Sequence, residues 1–580
     1  MKPRIVSWFK TSLASVRPAF AMRQAWREGY GFGQLRQDLM AGAVVGVVAI
    51  PLSMALAIAS GVPPEHGLYT AIIAGALIAL LGGSRVQVSG PTAAFVVILA
   101  PISARYGLQG LAMASAMAGV LLVLMGVMRL GRLIEFIPHP VTTGFTAGIA
   151  VVIATLQLKD FFGLKVAASG PDAMYLEKAW KIIEAAPTLR WGDFGIGALT
   201  LATLAVWPRV TRKVPGALVA LSVAGVLGYA MSHWLGVEVV TIANKFAGGI
   251  PSIPPLPVLP WHDAGPAAQG GEPLAVTPGL IHALLPAAFT IAMLGSIESL
   301  LSAVVADGMA QTRHDPDTEL FAQGLGNIVA PFFGGFAATG AIARTATNIR
   351  SGGRSPVAAV AHAVVVLLAV VTLAPLLGQL PMASMAALLL MVAWNMSERK
   401  HFAHVLRVAP RSDVMVLLTC FSLTVLVDMT VAVTAGVVLA ALLFMRRMAA
   451  ISGSRMIARM HPVSDEPLPE SVVVFEVAGP LFFGAAQKAI SQLRAVDRMI
   501  RVVVIDLSSV PAMDVTGLVA LESAVDSLYR DGIHAVIGGV QPQPARALER
   551  AHWHAGEGRL EICPTLEQAV QVARTLAQLV

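Results

Sequence analysis

Charged side chains are scarce in this sequence. They make up 13% of the 580 residues, about half of the ~25% that is usual in soluble proteins. Hydrophobic residues account for 56% of the chain, and the mean hydropathy is +0.72. This composition excludes a soluble globular protein and indicates an integral membrane protein. The excess of Lys and Arg, 41 against 34 acidic residues, needs no nucleic-acid partner, because cytoplasmic loops of membrane proteins retain positive charge.

Other features are absent as well. The two cysteines, Cys420 and Cys563, are too few for a disulfide scaffold, and no cluster has the spacing of a metal site. No Gly-Lys pair occurs in the chain, so the phosphate loop of ATP-driven proteins is missing. The basic N-terminal stretch lacks a continuous apolar run and a cleavage site, and we expect a cytoplasmic leader there, not a signal peptide.

Apolar segments of helical length dominate the chain up to about residue 447. We count about fourteen of them in two sets of seven, which predicts a polytopic α-helical membrane protein. The predicted domains are a cytoplasmic N-terminal segment (1–37), a transmembrane domain (38–447), a linker (448–465) and a cytoplasmic domain (466–580). In the last of these, strand and helix patterns alternate, as is typical of a small α/β domain. Arg and Lys in the loops predict cytoplasmic termini.

The third segment of each set is too short to cross a membrane. The first reads "RVQVSGPTAAFVVILAP" (85–101) and the second "GGFAATGAIARTATNIRSGG" (334–353). A helix from Thr92 to Ile102 rises only ~16 Å, against the ~30 Å of a bilayer core. Short Gly- and Pro-interrupted segments at matching positions indicate a transporter site in an inverted repeat. We therefore predict two half-helices that begin at mid-membrane.

Half-helices that meet at their N-termini would present free N–H groups and positive dipole ends to one cavity. Such a cavity attracts an anion. Thr92 and Ala93 lie at the start of the first half-helix, and Ala341 and Ile342 at the start of the second. Arg344 adds a charge at membrane depth, which favours a functional role. The alternative is that Arg344 only caps backbone carbonyls.

Glu298 lies near the middle of the eighth segment, "LLPAAFTIAMLGSIESLLSAVVADGM". Ser302 follows four residues later, on the same helical face. A buried carboxylate is costly unless it is paired or protonated, so Glu298 is a candidate proton or ion-coordinating site. A structural salt bridge with Arg344 is the alternative.

In order along the chain, "AIPLSMALAIASGVPPEHGLYTA", "VSGPTAAFVVI", "GSIESLLSAVVADGM" and "FFGGFAATGAIARTATNIRSGG" resemble the sulfate permease (SulP) family of anion transporters, and the tail resembles a STAS domain. The resemblance implies a seven-plus-seven inverted repeat with core and gate domains, elevator-like movement, a homodimer in membrane lipid, and no enzymatic activity. It also implies that Thr92, Ala341, Ile342 and Arg344 bind the anion, and that Glu298 and Ser302 couple a cation.

The first segment departs from the family pattern, because Leu52 follows Pro51 where many members have Gln, and Leu56 replaces an aromatic residue. The sequence looks most similar to the bacterial four-carbon dicarboxylate transporters of the family. We therefore expect proton-coupled uptake of succinate, fumarate or aspartate across a bacterial inner membrane, without a cofactor. The alternatives are a sulfate or bicarbonate transporter, or an anion sensor that signals through the STAS domain.

The tail segment "PAMDVTGLVAL" resembles the phosphorylated segment of anti-sigma antagonists. Thr516 occupies the position of the modified hydroxyl at a predicted helix start, where the dipole would stabilise a phosphate. A cytoplasmic partner of the STAS domain would fit such a switch. The alternative is that Thr516 caps the helix.

Overall fold

The computed structural model describes residues 16–132, 138–167, 170, 173–211, 214–246, 249–261, 276–451, 453–457, 467–482, 499–553 and 560–579. The chain divides into two compact units, Met1–Val437 and Val438–Val580. We call them the membrane unit and the C-terminal unit and describe each by itself.

Helices form almost all of the membrane unit. The elements of its first half are α1 (Phe20–Arg27), α2 (Phe32–Ala59), α3 (Pro64–Leu81), β1 (Ser89–Gly90), α4 (Ala93–Val127), α5 (His139–Phe161), α6 (Tyr175–Glu184), α7 (Trp191–Val210), α8 (Gly216–Trp234) and α9 (Ile242–Lys245). Those of its second half are α10 (Pro278–Ala310), α11 (Pro316–Val329), β2 (Thr339–Gly340), α12 (Ile342–Arg350), α13 (Pro356–Gly378), α14 (Met382–Met396), α15 (Arg399–Val408), α16 (Arg411–Leu426) and α17 (Met429–Ile451). The boundary between the units falls within α17.

Eight of the described helices are long and apolar enough to cross a membrane. One of them, α4, is broken at Gly107, whose φ of +66° is non-helical, so it provides a half-length segment followed by a full return. With α4 counted twice, and with the short helices α1, α6, α9 and α15 set aside, the described helices form two sets of seven. The fold prediction is therefore confirmed.

The first half-helix is longer than the expected stretch from Thr92 to Ile102. The helix continues through Pro101 and Ile102 to Gly107. A proline removes one backbone hydrogen bond, which a helix can tolerate, whereas a positive φ ends the helical path.

The helices of the membrane unit pack in two groups. In the first, α2 and α3 pack against α13, and α4 packs against α10 and α11. In the second, α5 packs against α14 and α16, and α7 against α8 and α14. Gly119 of α4 and Gly324 of α11 face each other so closely that a Cβ on either would overlap the backbone of the other helix. Small residues allow this approach between membrane helices.

The C-terminal unit contains a five-stranded sheet with the strand order β3-β4-β5-β6-β7. Its elements are β3 (Gly453–Ile457), β4 (Val472–Ala478), β5 (Val502–Ser509), α18 (Val515–Arg530), β6 (His534–Gly538), α19 (Pro542–Arg550), β7 (Leu560–Cys563) and α20 (Leu566–Leu579). Strand β3 is antiparallel to β4, and the other pairs are parallel. The segment "GAAQKAISQLRAV" (484–496), whose sequence pattern predicts a helix, lies outside the described residues.

Alternate residues of the central strands point to opposite faces of this sheet. Val473, Phe475 and Ile505 pack on one side with Leu521 and Leu528 of α18. On the other side, α20 contributes the buried residues Leu566, Ala569, Val570 and Ala573. Strand β3 lies within residues 448–465, so that part of the chain is not only a linker. The sequence pattern did not indicate this strand, because an edge strand pairs through its backbone and needs few alternating apolar residues.

Candidate functional site

Two short strands bring the distant short segments together. Strands β1 and β2 pair in antiparallel register, with Ser89 opposite Gly340 and Gly90 opposite Thr339. The N–H of Ala341 also donates to the carbonyl of Val88 at 2.9 Å. Because α4 and α12 begin just after these strands, their N-termini lie beside each other.

Neither helix start has a side-chain cap. Thr92 and Ala341 occupy the N-cap positions, and neither side chain accepts a hydrogen bond from its own helix. Ala93 is buried, whereas Ile342 is 39% exposed. The first N–H groups of a helix have no partner within the helix and carry a partial positive charge. The structure thus brings Thr92, Ala93, Ala341 and Ile342 together at two neighbouring helix N-termini.

Arg344 extends from the first turn of α12 to the segment before α4. Its Nη2 donates to the carbonyl oxygen of Pro91 at 2.8 Å, and the residue is only 2% exposed. Its Nε and Nη1 have no hydrogen-bond partner within the described protein. A Cβ on Gly90 would lie 2.5 Å from Nη1, so the guanidinium packs against Gly90 too closely for any larger residue to replace this glycine. Backbone capping therefore accounts for only one of the three guanidinium nitrogens.

Glu298 of α10 lies beside the start of α4. The Thr92 hydroxyl donates to its Oε2 at 3.0 Å, which explains why Thr92 does not cap its own helix. The side chain of Glu298 is partly exposed. Among the ion pairs found in the described part of the chain, none joins Glu298 to Arg344. The carboxylate therefore lies at the start of α4 without an ion pair to the guanidinium.

Ser302 is fully buried, and its hydroxyl lies 3.3 Å from that of Thr345 in α12. It thus joins α10 to α12. Ser299 is a further contact of this kind, which sequence reasoning missed. Its hydroxyl lies 2.7 Å from that of Thr339 and accepts from the N–H of Gly340 at 3.1 Å, so it holds β2 in place.

Glu319 of α11 is a buried acid that sequence reasoning missed. Its carboxylate accepts from the backbone N–H groups of Gly83 and Ser84 at 2.9 and 3.0 Å. It also accepts from the side-chain amides of Gln87 and Gln323 at 3.0 and 3.1 Å. Four donors satisfy this carboxylate, which suits a structural role. The only sequence signal was an acid at the edge of an apolar segment.

No metal centre is evident in the part of the chain that the structure describes, because no three His, Cys, Asp or Glu side chains come together there. In the C-terminal unit, Thr516 lies in the first turn of α18 and is partly exposed. Asp514 is the N-cap, since its Oδ1 accepts from the N–H of Gly517 at 2.7 Å. The alternative interpretation of Thr516 as the helix cap is therefore wrong.

Comparisons with known proteins agree with this architecture. The sequence profile of the sulfate permease family matches residues 35–421, and that of the STAS domain matches residues 466–569. YvdB of Bacillus subtilis (strain 168), which is named as a sulfate transporter, is 41% identical to this chain. The match covers 90% of this chain and 95% of the length of YvdB. The bicarbonate transporter BicA of Synechocystis is 30% identical over 90% of this chain and 91% of its own.

Two solved structures share the fold. The structure of SLC26A9 matches with a TM-score of 0.84 at 17% identity, covering 97% of this chain and 93% of that one. The transmembrane domain of a cyanobacterial BicA matches with a TM-score of 0.56 at 26% identity, covering 71% of this chain and 98% of that one.

The matches over the membrane unit and over the C-terminal unit place the chain in the class of anion transporters with a STAS domain. This chain belongs to the sulfate permease family.

Proposed function

We propose that this protein is a cation-coupled transporter of a small inorganic oxyanion, with bicarbonate or sulfate as its substrate. One observation carries the proposal. The Nε and Nη1 atoms of Arg344 are buried without protein partners beside two helix N-termini that have no side-chain caps. An oxyanion supplies the acceptors that these donors need, and guanidinium binds oxyanions in a defined geometry.

The charges around the site restrict the anion. Arg344 contributes one positive charge, and two helix N-termini add about half a charge each. The total is about two positive charges, and ionised Glu298 reduces it to about one. A monoanion such as bicarbonate then balances the site as it stands. A dianion such as sulfate balances it only when a proton or another cation neutralises Glu298, and this is how substrate and cation become coupled.

The relatives reported above are named as sulfate and bicarbonate transporters. They support the inorganic-anion alternative and give no support to the expected specificity for four-carbon dicarboxylates. Leu56 is buried in α2, and Leu52 is partly buried. Apolar side chains therefore occupy the two positions where many members of the family have an amide and an aromatic ring.

Transport by the purified full-length chain in liposomes tests the proposal. Uptake of labelled bicarbonate, sulfate and succinate is measured under an imposed proton gradient and, separately, under a sodium gradient. We expect uptake of one inorganic anion, driven by one of the gradients. Preferred uptake of succinate would restore the dicarboxylate interpretation. Binding without flux for every anion would instead favour an anion sensor.

The remaining parts of the proposal follow from the family and from position. We propose a homodimer in a bacterial inner membrane with both termini in the cytoplasm. The proton is the proposed coupling ion, and Glu298 is its proposed site. Thr516, partly exposed at the start of α18, remains a proposed phosphorylation site through which a cytoplasmic partner would act.

A further inference from the structure

His362 of α13 is a buried polar residue that the proposed mechanism does not use. It is fully buried, and neither of its ring nitrogens has a hydrogen-bond partner within the described protein. The backbone carbonyl of Ala359, three residues earlier in α13, lies near the ring. The two groups do not meet the geometry of a hydrogen bond. An unpaired buried polar group is costly, so the position of this imidazole needs an explanation.

The ring of His362 lies against the same face of α3 as the Arg344 guanidinium. A Cβ on Gly75 would lie 3.7 and 3.9 Å from Cε1 and Nδ1 of His362. A Cβ on Gly90 would lie 2.5 Å from Nη1 of Arg344 and 3.7 Å from the Cα of Ala71, which belongs to α3. Positions 71 and 75 of α3 are one helical turn apart, about 6 Å.

We infer that His362 is a positioning residue that orients Arg344 for the anion through one bridging water. One water between the two groups supplies an acceptor for Nη1 and a donor for the imidazole. A guanidinium can only donate, and a neutral imidazole has one nitrogen that accepts. Nη1 is then held towards α3 while Nε is directed to the anion. The inference rests on the proposed role of Arg344.

A purely structural histidine predicts a different response to substitution. Leucine has a similar size and brings no polar atoms, so His362→Leu removes two unpaired buried groups and should not lower thermal stability. If His362 only fills space, anion affinity is unchanged as well. If His362 orients Arg344, anion affinity falls whatever the change in melting temperature.

The experiment compares His362→Leu with His362→Gln, whose side-chain oxygen can still accept a hydrogen bond. In proteoliposomes we expect His362→Leu to raise the KM for the transported anion about tenfold with little change in kcat, while His362→Gln stays near the parent. His362→Asn has the same amide on a shorter chain. It provides the same comparison with His362→Gln if the leucine variant does not fold. The melting temperature of each purified variant is measured alongside.

The outcomes separate this inference from the function on which it rests. In an Arg344→Lys background, His362→Leu should add little further loss, because the group that it orients is gone. An unchanged KM in His362→Leu, or equal losses in the Leu and Gln variants, would overturn the positioning role. If Arg344→Ala itself leaves anion affinity intact, the anion site is wrong and the proposed function fails first.

Discussion

The starts of the two half-helices have the same backbone arrangement and opposite side-chain chemistry. Each follows a strand of the β1–β2 pair, and neither has a side-chain cap. At the start of α4, however, Thr92 donates to the carboxylate of Glu298. At the start of α12 there is no hydroxyl, and Arg344 extends across to Pro91. One side of the site is thus acidic and the other basic.

This difference is what the proposed function needs. Under that proposal the helix N-termini of both halves attract the anion, Arg344 binds it, and Glu298 takes the cation. The two charged groups form no ion pair with each other in the described structure. Each prediction below tests one part of this division.

The largest effect is expected for Arg344. Removing one member of a buried charge pair costs about 2–5 kcal/mol, so Arg344→Ala should weaken anion binding at least about 30-fold. Arg350 is exposed at the end of the same helix, and Arg350→Ala is the matched control. Binding is measured by isothermal titration calorimetry on detergent-purified protein. Parent-like affinity in Arg344→Ala would remove the basic side of the comparison.

A change of coupling, with binding retained, is expected for Glu298→Gln. The amide imitates the protonated acid, and its oxygen can still accept from Thr92. The variant should exchange anion across the membrane but lose accumulation driven by an imposed pH gradient. Glu238→Gln, at a side chain that is 86% exposed, is the control. If the Glu298 variant still concentrates anion in proportion to the gradient, the acidic side does not couple a cation.

The paired strands allow a sharper test with two alanine substitutions. In Gly90→Ala the new methyl would meet Nη1 of Arg344 at 2.5 Å, so the guanidinium must move and anion affinity should fall several-fold. In Gly340→Ala the methyl would instead overlap the side-chain amide of Gln87, which donates a hydrogen bond to Glu319. That change should mainly lower the melting temperature. Equal effects of both substitutions on affinity and stability would contradict the separate roles.

Much of this site could be predicted from the sequence. Gly, Pro and short length marked the half-helices, and charge at membrane depth marked Arg344 and Glu298. Contacts between distant residues could not be predicted. The role of Glu319 depends on donors more than 230 residues earlier in the chain, and that of His362 on which helix its ring faces. Pro101 was a misleading signal, because only Gly107 has the positive φ that breaks α4.

The smallest effect is expected when the start of α12 is made to resemble a capped helix. Ala341→Ser places a hydroxyl at the N-cap, where it can accept from a first-turn N–H and stabilise the helix by about 1 kcal/mol. The same hydroxyl occupies a donor that the anion would otherwise use. We therefore expect a slightly higher melting temperature with an affinity for the anion that is two- to fivefold lower, about 0.4–1 kcal/mol. Ala343→Ser, exposed two residues later, is the control because its hydroxyl is not at the cap. Higher stability with unchanged affinity would mean that the N–H groups of α12 do not contact the anion and that Arg344 alone binds it.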